Sequence, residues 1–248
     1  MMGILVNLAE ISAATAAVTE NYSAVVNDLR GEFAKLLAMA NPAAAAIRRL
    51  FVNVGLRLVD KRLSLYRADL ELATQNVIRS ALINAGVEPD EFLKQHGKPL
   101  MDYAKELVYA TTFGIGTLAK KDVKYGADQL RALSFNVLTT MSNAGFRNAV
   151  KGAVVRNIVA GANYTGRDGK PWRTIRSASL GTRHHLLTMF NETTLYVGLV
   201  MGDSEFVIRA AHATNPYDGM EITPEEYRHI KEAAFHPNAN ALIYRKSR

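Results

Sequence analysis

Glu205-Phe206-Val207-Ile208-Arg209-Ala210-Ala211-His212, followed closely by Pro216-Tyr217-Asp218-Gly219, is the stretch that decides the fold class. A short apolar run closed by Pro, Asp and Gly reads as a β-strand entering a turn. Up to about residue 160 the texture differs: rich in Ala and Leu, poor in Gly and Pro, and therefore helical. The expected class is α+β. A mainly α-helical region with long helices over residues 1–160, built for assembly and interaction, precedes a small α+β domain over residues 161–248.

Working outward toward the N-terminus, Val25, Val26, Leu29, Phe33, Leu36 and Leu37 follow helical spacing between Asn21 and Met39. Asn41-Pro42 is a break, with Asn41 placed to cap and Pro42 at a first helical position. Ile47, Phe51, Val54, Leu58, Leu65, Ala73, Val77 and Ala81 then form one stripe reaching Ala85, and Gly86 stands where a helix stops. One helix over 43–85 would be roughly 60 Å long, a rod suited to an assembly contact. The alternative is a break near Gly55 or Asp60 into two core helices. Glu88-Pro89-Asp90-Glu91 opens a short helix that Gly97-Lys98-Pro99 is expected to end. Leu100 to about Phe113 reads as helix again. Residues 127–160 read as one or two more, interrupted near Asn143-Ala144-Gly145. Gly161 to Pro171 reads as a loop.

The chain has 248 residues, 48% hydrophobic and 21% charged, enough apolar material for a real core. It has no cysteine, which excludes a disulfide framework and a thiolate metal site. The apolar start Met1–Leu8 lacks a basic flank and meets Glu10, so it does not read as a signal peptide. Apolar runs fall short of the roughly 18 residues that span a bilayer, so stable membrane insertion is not expected. The net charge is +7. Residues 1–42 hold two Lys/Arg and four Asp/Glu, −2; residues 43–85 hold seven and three, +4. Residues 86–160 hold ten and seven, +3; residues 161–248 hold eleven and nine, +2. The densest excess, carried by Arg48, Arg49, Arg57, Lys61 and Arg62, marks a candidate contact to the phosphates of double-stranded DNA, without sequence preference.

Patterns that suggest chemistry have simpler readings. Gly114-Ile115-Gly116-Thr117-Leu118-Ala119 fits G-x-G-x-x-A, but the preceding segment reads helical and no acid follows at the right distance, so a dinucleotide loop is not expected. His212, His229 and His236 are scattered, unlike a metal-ligand spacing. Asp218, Glu221, Glu225 and Glu226 form an acidic cluster, best read as a helix start with Thr223 as cap and Pro224 at the first position. Arg183 and Asn191, eight residues apart on a presumed helix, share a face. Neither enzymatic activity, nor a cofactor, nor a bound metal is expected.

Four marks occur in order: Gly166-Arg167-Asp168-Gly169-Lys170-Pro171-Trp172; Thr182-Arg183 with Asn191; the apolar stretch running to Pro216-Tyr217-Asp218-Gly219; and Phe235-His236-Pro237-Asn238. Together they resemble the C-terminal domain of phage minor capsid proteins, the head-morphogenesis family named after protein F of phage Mu. That family reads as a D-x-x-G-R-x-W turn, a helix with Arg-Thr and Asn, a strand, a P-x-x-G turn and a closing H-P-N-C-R-H. The resemblance covers roughly a third of the chain, residues 167–240, and departs from the family at Ala239, Asn240 and Ala241, where Cys, Arg and His usually stand. It implies structural roles for Trp172, Arg183, Asn191, His212, Asp218, Gly219, His236, Pro237 and Asn238, with Trp172 a core anchor of its domain.

What the resemblance implies for function is a minor structural protein of a tailed-phage virion head, made in the bacterial host cytoplasm and ending inside the head or near the portal. Its partners would be portal or major capsid subunits in a homo- or hetero-oligomeric assembly, and the packaged DNA. It would aid head assembly or genome delivery. The rival readings are a head-to-tail connector or internal ejection protein, and an enzyme effector carried in the virion.

Overall fold

A computed structural model describes residues 2–38, 44–140, 163–165, 171–211, 215–236, 238 and 240–246. Three long helices come first: α1 (Met2–Ala38), α2 (Ala44–Asn84) and α3 (Pro89–Thr140). A short hairpin of β1 (Asn163–Thr165) and β2 (Pro171–Arg173) precedes α4 (Thr174–Val200). The chain closes with β3 (Phe206–Ala210), β4 (Glu221–Ile222), α5 (Pro224–Ala234) and β5 (Ala241–Arg245). The last three strands make an antiparallel sheet in the order β4-β3-β5, so the apolar run at 206–210 is its central strand. The class is α+β: long helices through the N-terminal region, then a small α+β portion.

α2 is one helix of 41 residues, unbroken at Gly55 or Asp60. It stops where expected. Gly86 takes φ +77; its N–H bonds the Ile83 carbonyl at 3.0 Å, and the Val87 N–H bonds the Leu82 carbonyl at 3.1 Å. These are the two bonds of a Schellman motif, which needs a residue that tolerates positive φ. The buried face of α2 differs from the expected stripe. Leu65 is exposed, while Val59, Tyr66 and Leu70 are fully buried. Gly55 is also a contact point: a Cβ there would lie 3.1 Å from Leu29 and Val123 side-chain atoms.

α3 corrects the sequence reading more sharply. It runs 52 residues with Pro99 inside it. A mid-helix proline removes one backbone bond and crowds the carbonyl four residues back. Burial on both sides offsets that cost: Phe92 before the proline, and Leu100, Ala104 and Val108 after it, are all core residues. In the loosened turn the His96 carbonyl also accepts a hydrogen bond from Tyr196 Oη at 2.7 Å. The expected interruption at Asn143-Ala144-Gly145 and most of the loop at 161–171 lie outside the described residues.

By contacts the chain forms two compact units. One, the sheet unit, takes Met1–Val18, Arg67–Thr111 and Ser179–Arg248; the other, the hairpin unit, takes Thr19–Tyr66 and Thr112–Ala178. Each of the three long helices contributes to both. Residue 160, the expected boundary, lies outside the described residues. The sheet unit has a core of Leu195, Phe206, Ile208, Ile222, Tyr227, Ala234, Phe235, Ala241 and Ile243. α5 lies over it, and starts as the sequence suggested: Thr223 caps it, Pro224 opens it, and Glu226 closes a capping box. In the hairpin unit Tyr22, Val25, Leu29, Phe51, Val59, Ile115, Ala119 and Val123 are buried.

Candidate functional site

Residues of the later marks meet the three-stranded sheet. Ile208 bonds outward to β4: its N–H donates to the Met220 carbonyl at 2.9 Å and its carbonyl accepts from Gly219 N–H at 2.9 Å. Ile208 faces Ile243 across β3 and β5. The Ile243 N–H therefore points away from β3, off the edge of the sheet. Asn191 of α4 supplies the missing acceptor, its Oδ1 3.0 Å from that nitrogen. Eight residues earlier on the same helix, Arg183 donates to Asn240 Oδ1 at 2.5 Å and to Ser12 Oγ at 2.6 Å. Asn240 precedes β5 in a left-handed conformation, φ +48, which Asn tolerates better than most residues. Arg183 and Asn191 thus hold two points along one strand from one helix face.

Asp218 and Gly219 shape the turn between β3 and β4. Asp218 Oδ1 accepts the Ala210 N–H at 2.8 Å, and Asn215 Oδ1 accepts the Tyr217 N–H at 2.9 Å. Gly219, at φ +80, completes the reversal. His236 is exposed and its Nδ1 accepts the Asn238 N–H at 3.2 Å. Trp172 lies in β2 opposite Tyr164; its side chain, like His212 and Pro237, lies outside the described residues. Among the described residues of the marks, Asn191, Asp218 and His236 accept backbone N–H groups, while Arg183 bonds the side chains of Ser12 and Asn240.

The acidic cluster separates in the same way. Asp218 is engaged with Ala210, Glu226 with the α5 cap, and Glu221 with Lys246 at 2.7 Å. Gly114 to Ala119 lies inside α3, with no strand before it. Among the described residues, no group of three His, Asp or Glu could hold a metal ion. Among them too, no helix is long and apolar enough to cross a membrane.

Two buried polar clusters escaped the sequence reading. In the sheet unit His185 of α4 lies between Thr74 Oγ1, 2.8 Å from Nε2, and Thr111 Oγ1, 3.0 Å from Nδ1. Thr74 Oγ1 also donates to the Leu70 carbonyl at 2.6 Å, and the imidazole has a further hydrogen bond to the Leu107 backbone. Burial pushes the imidazole down to about 4, so the ring is neutral. In the hairpin unit Asp122 accepts from Tyr22 Oη at 2.7 Å and from Thr174 Oγ1 at 2.8 Å. Burial first, then the Asp122 carboxylate, pushes the Tyr22 hydroxyl far up. A third group, Glu192, is half-buried; burial raises its carboxyl, while Lys231, the Tyr227 hydroxyl and Arg228 pull it back down. These clusters join helices distant in sequence, so no local spacing announces them.

The basic candidates are placed unequally. Arg49, Arg57 and Lys61 are exposed on α2. Arg62 pairs with Asp28 at 2.9 Å. The Arg48 side chain lies outside the described residues. More telling is the charge of each unit. Over its segments the hairpin unit holds 18 Lys/Arg and seven Asp/Glu, +11; the sheet unit holds 12 and 16, −4. Compared with protein-family models, with curated proteins and with solved structures, the chain matches none.

Proposed function

We propose that this protein is a non-enzymatic structural part of a tailed-phage head, binding portal or capsid neighbours inside the particle or close to the portal. The observation that carries the reading is the use made of the four marks. Four of the described positions that resemble the head-morphogenesis family, Arg183, Asn191, Asp218 and Gly219, engage the edge strand, the residue before it, or the turn of the small sheet. A motif used in this way maintains a shape rather than a reaction. The long helices support the same reading: α2, at about 1.5 Å per residue, offers a rod of roughly 60 Å for neighbours.

The test is physical association. An epitope-tagged copy expressed during phage growth should band with heads in a density gradient, in a few copies per particle, and should crosslink to portal or major capsid subunits. Recovery only in the particle-free fraction overturns the proposal. Presence in full heads but not in heads emptied by ejection favours the internal ejection protein instead.

A further inference from the structure

We infer that the hairpin unit binds the phosphate backbone of duplex DNA through Arg57 and Lys61 of α2 and Lys120 and Lys124 of α3, and that the sheet unit takes no part. The choice of DNA as the polyanion rests on the head reading above; the binding itself does not.

The argument starts from sorting. Four linear windows of the sequence differ by only a few charges, whereas the two units differ by fifteen, +11 against −4. Both units hold ion pairs, Lys35 with Glu32 and Arg62 with Asp28 in the hairpin unit. In the sheet unit Arg67 pairs with Glu71, Arg79 with Asp90, Lys105 with Asp102, Arg245 with Asp203, and Lys246 with Glu205 and Glu221. In the hairpin unit Arg57, Lys61, Lys120 and Lys124 are exposed and make no ion pair with a described residue.

Packing brings Arg57 and Lys61 level with Lys120, and Lys124 lies about one turn further along α3. Added Cβ atoms at Gly126, Gly55 and Gly116 would meet Phe51, Val123 and Leu63 respectively. The pairs run in opposite directions along the two helices, so α2 and α3 lie antiparallel there. That register sets Arg57 and Lys61 beside the stretch of α3 that begins at Thr117 and carries Lys120. Each helix offers its two cations at i, i+4, about 6 Å apart. A duplex carries one negative charge per roughly 1.7 Å of axis, so closely spaced cations always find phosphates. Contacts of this kind carry no base information.

The experiment uses the full chain and a fluorescein-labelled random-sequence 30-base-pair duplex, with anisotropy read over a salt series. Wild type should bind at low salt, its affinity falling linearly on a log–log plot at about 0.9 per phosphate engaged. Replacing Arg57, Lys61, Lys120 and Lys124 by Gln should flatten that slope by roughly 3 to 4 and weaken low-salt binding at least ten-fold. All four are exposed, so the melting temperature should hold; the two pairs replaced separately give the check if it does not. Lys94→Gln with Lys98→Gln, exposed cations of the sheet unit, should change neither slope nor affinity. An unchanged slope in the fourfold variant overturns the inference. So does competition by poly-glutamate that equals duplex charge for charge, which would make the partner an acidic protein. Salt-sensitive self-association without DNA binding would instead point to the −4 unit of a second copy, and overturns it too. Tagged protein missing from heads while the duplex still binds would sink the virion reading alone.

Discussion

Asn191 and Ile243 stand in a relationship that a neighbouring strand would otherwise fill: a helix side chain accepts the backbone N–H of an edge strand, 3.0 Å away, with both residues fully buried. The other end of the amide, Nδ2, has no partner among the described residues. The oxygen alone therefore accounts for the hydrogen-bonding value of the residue.

Asn191→Ala should leave the Ile243 N–H buried and unbonded, and cost about 1–3 kcal/mol. Urea denaturation of the variant checks this. Asn191→Ala melting with wild type would mean that the pairing with β3 holds β5 without this bond.

His185 predicts how stability follows pH. Its folded value is about 4 against an ordinary 6.5, so between those values the unfolded chain binds a proton that the folded chain refuses. Stability is therefore full above about pH 6.5 and is lost as pH falls toward 4, by up to about 3 kcal/mol from this group. His185→Gln can still hydrogen-bond in this place, and cannot titrate. Its melting temperature should fall less steeply than wild type between pH 7 and 4. Parallel curves for the two proteins would show that the imidazole is protonated without penalty.

Two glycines of α3 should respond in opposite directions to the same change. At Gly126 an added methyl would lie 2.7 Å from the ring of Phe51, a residue with 0% exposure and no room to move. Gly126→Ala should therefore destabilise by about 1–3 kcal/mol despite the better helix propensity of alanine. At Gly114 nothing lies within 4 Å, so Gly114→Ala should stabilise by up to about 1 kcal/mol. Thermal melts of the pair decide it, and a stabilised Gly126→Ala would contradict the close approach of α2 and α3.

Tyr22→Phe removes a 2.7 Å hydrogen bond to the buried Asp122 carboxylate. Bonds to charged acceptors contribute about 1.5–3 kcal/mol, and loss on that scale is expected in chemical denaturation. Thr174→Val, which removes a second donor at 2.8 Å, should be less than additive with it, because both act on one group. Strict additivity would argue against a shared cluster.

What could be read from the chain alone was local. The strand at 206–210, the stop at Gly86 and the Thr223 cap are each written within a turn or two of sequence, because hydropathy period, positive φ and capping act over that range. The shared face of Arg183 and Asn191 was legible for the same reason, though not that both would grip β5. Pro99 was misread because a local rule was outweighed by burial along the whole of α3. His185 and Asp122 were invisible, since their partners lie 111 and 74, and 100 and 52, residues away in sequence.

The charge pattern shows the division most clearly. The sequence by itself determined that the chain is basic, mainly helical, and ends in a small strand-bearing portion. Only the tertiary structure decided that Arg57 and Lys61 join Lys120 and Lys124 in a unit of +11, while the carboxylates collect in a unit of −4. The physical reason is that long helices pass through both units. Neighbours in sequence are thereby separated and distant segments joined by side-chain packing, as where Phe51 meets Gly126, and packing leaves no mark in a linear count of charges.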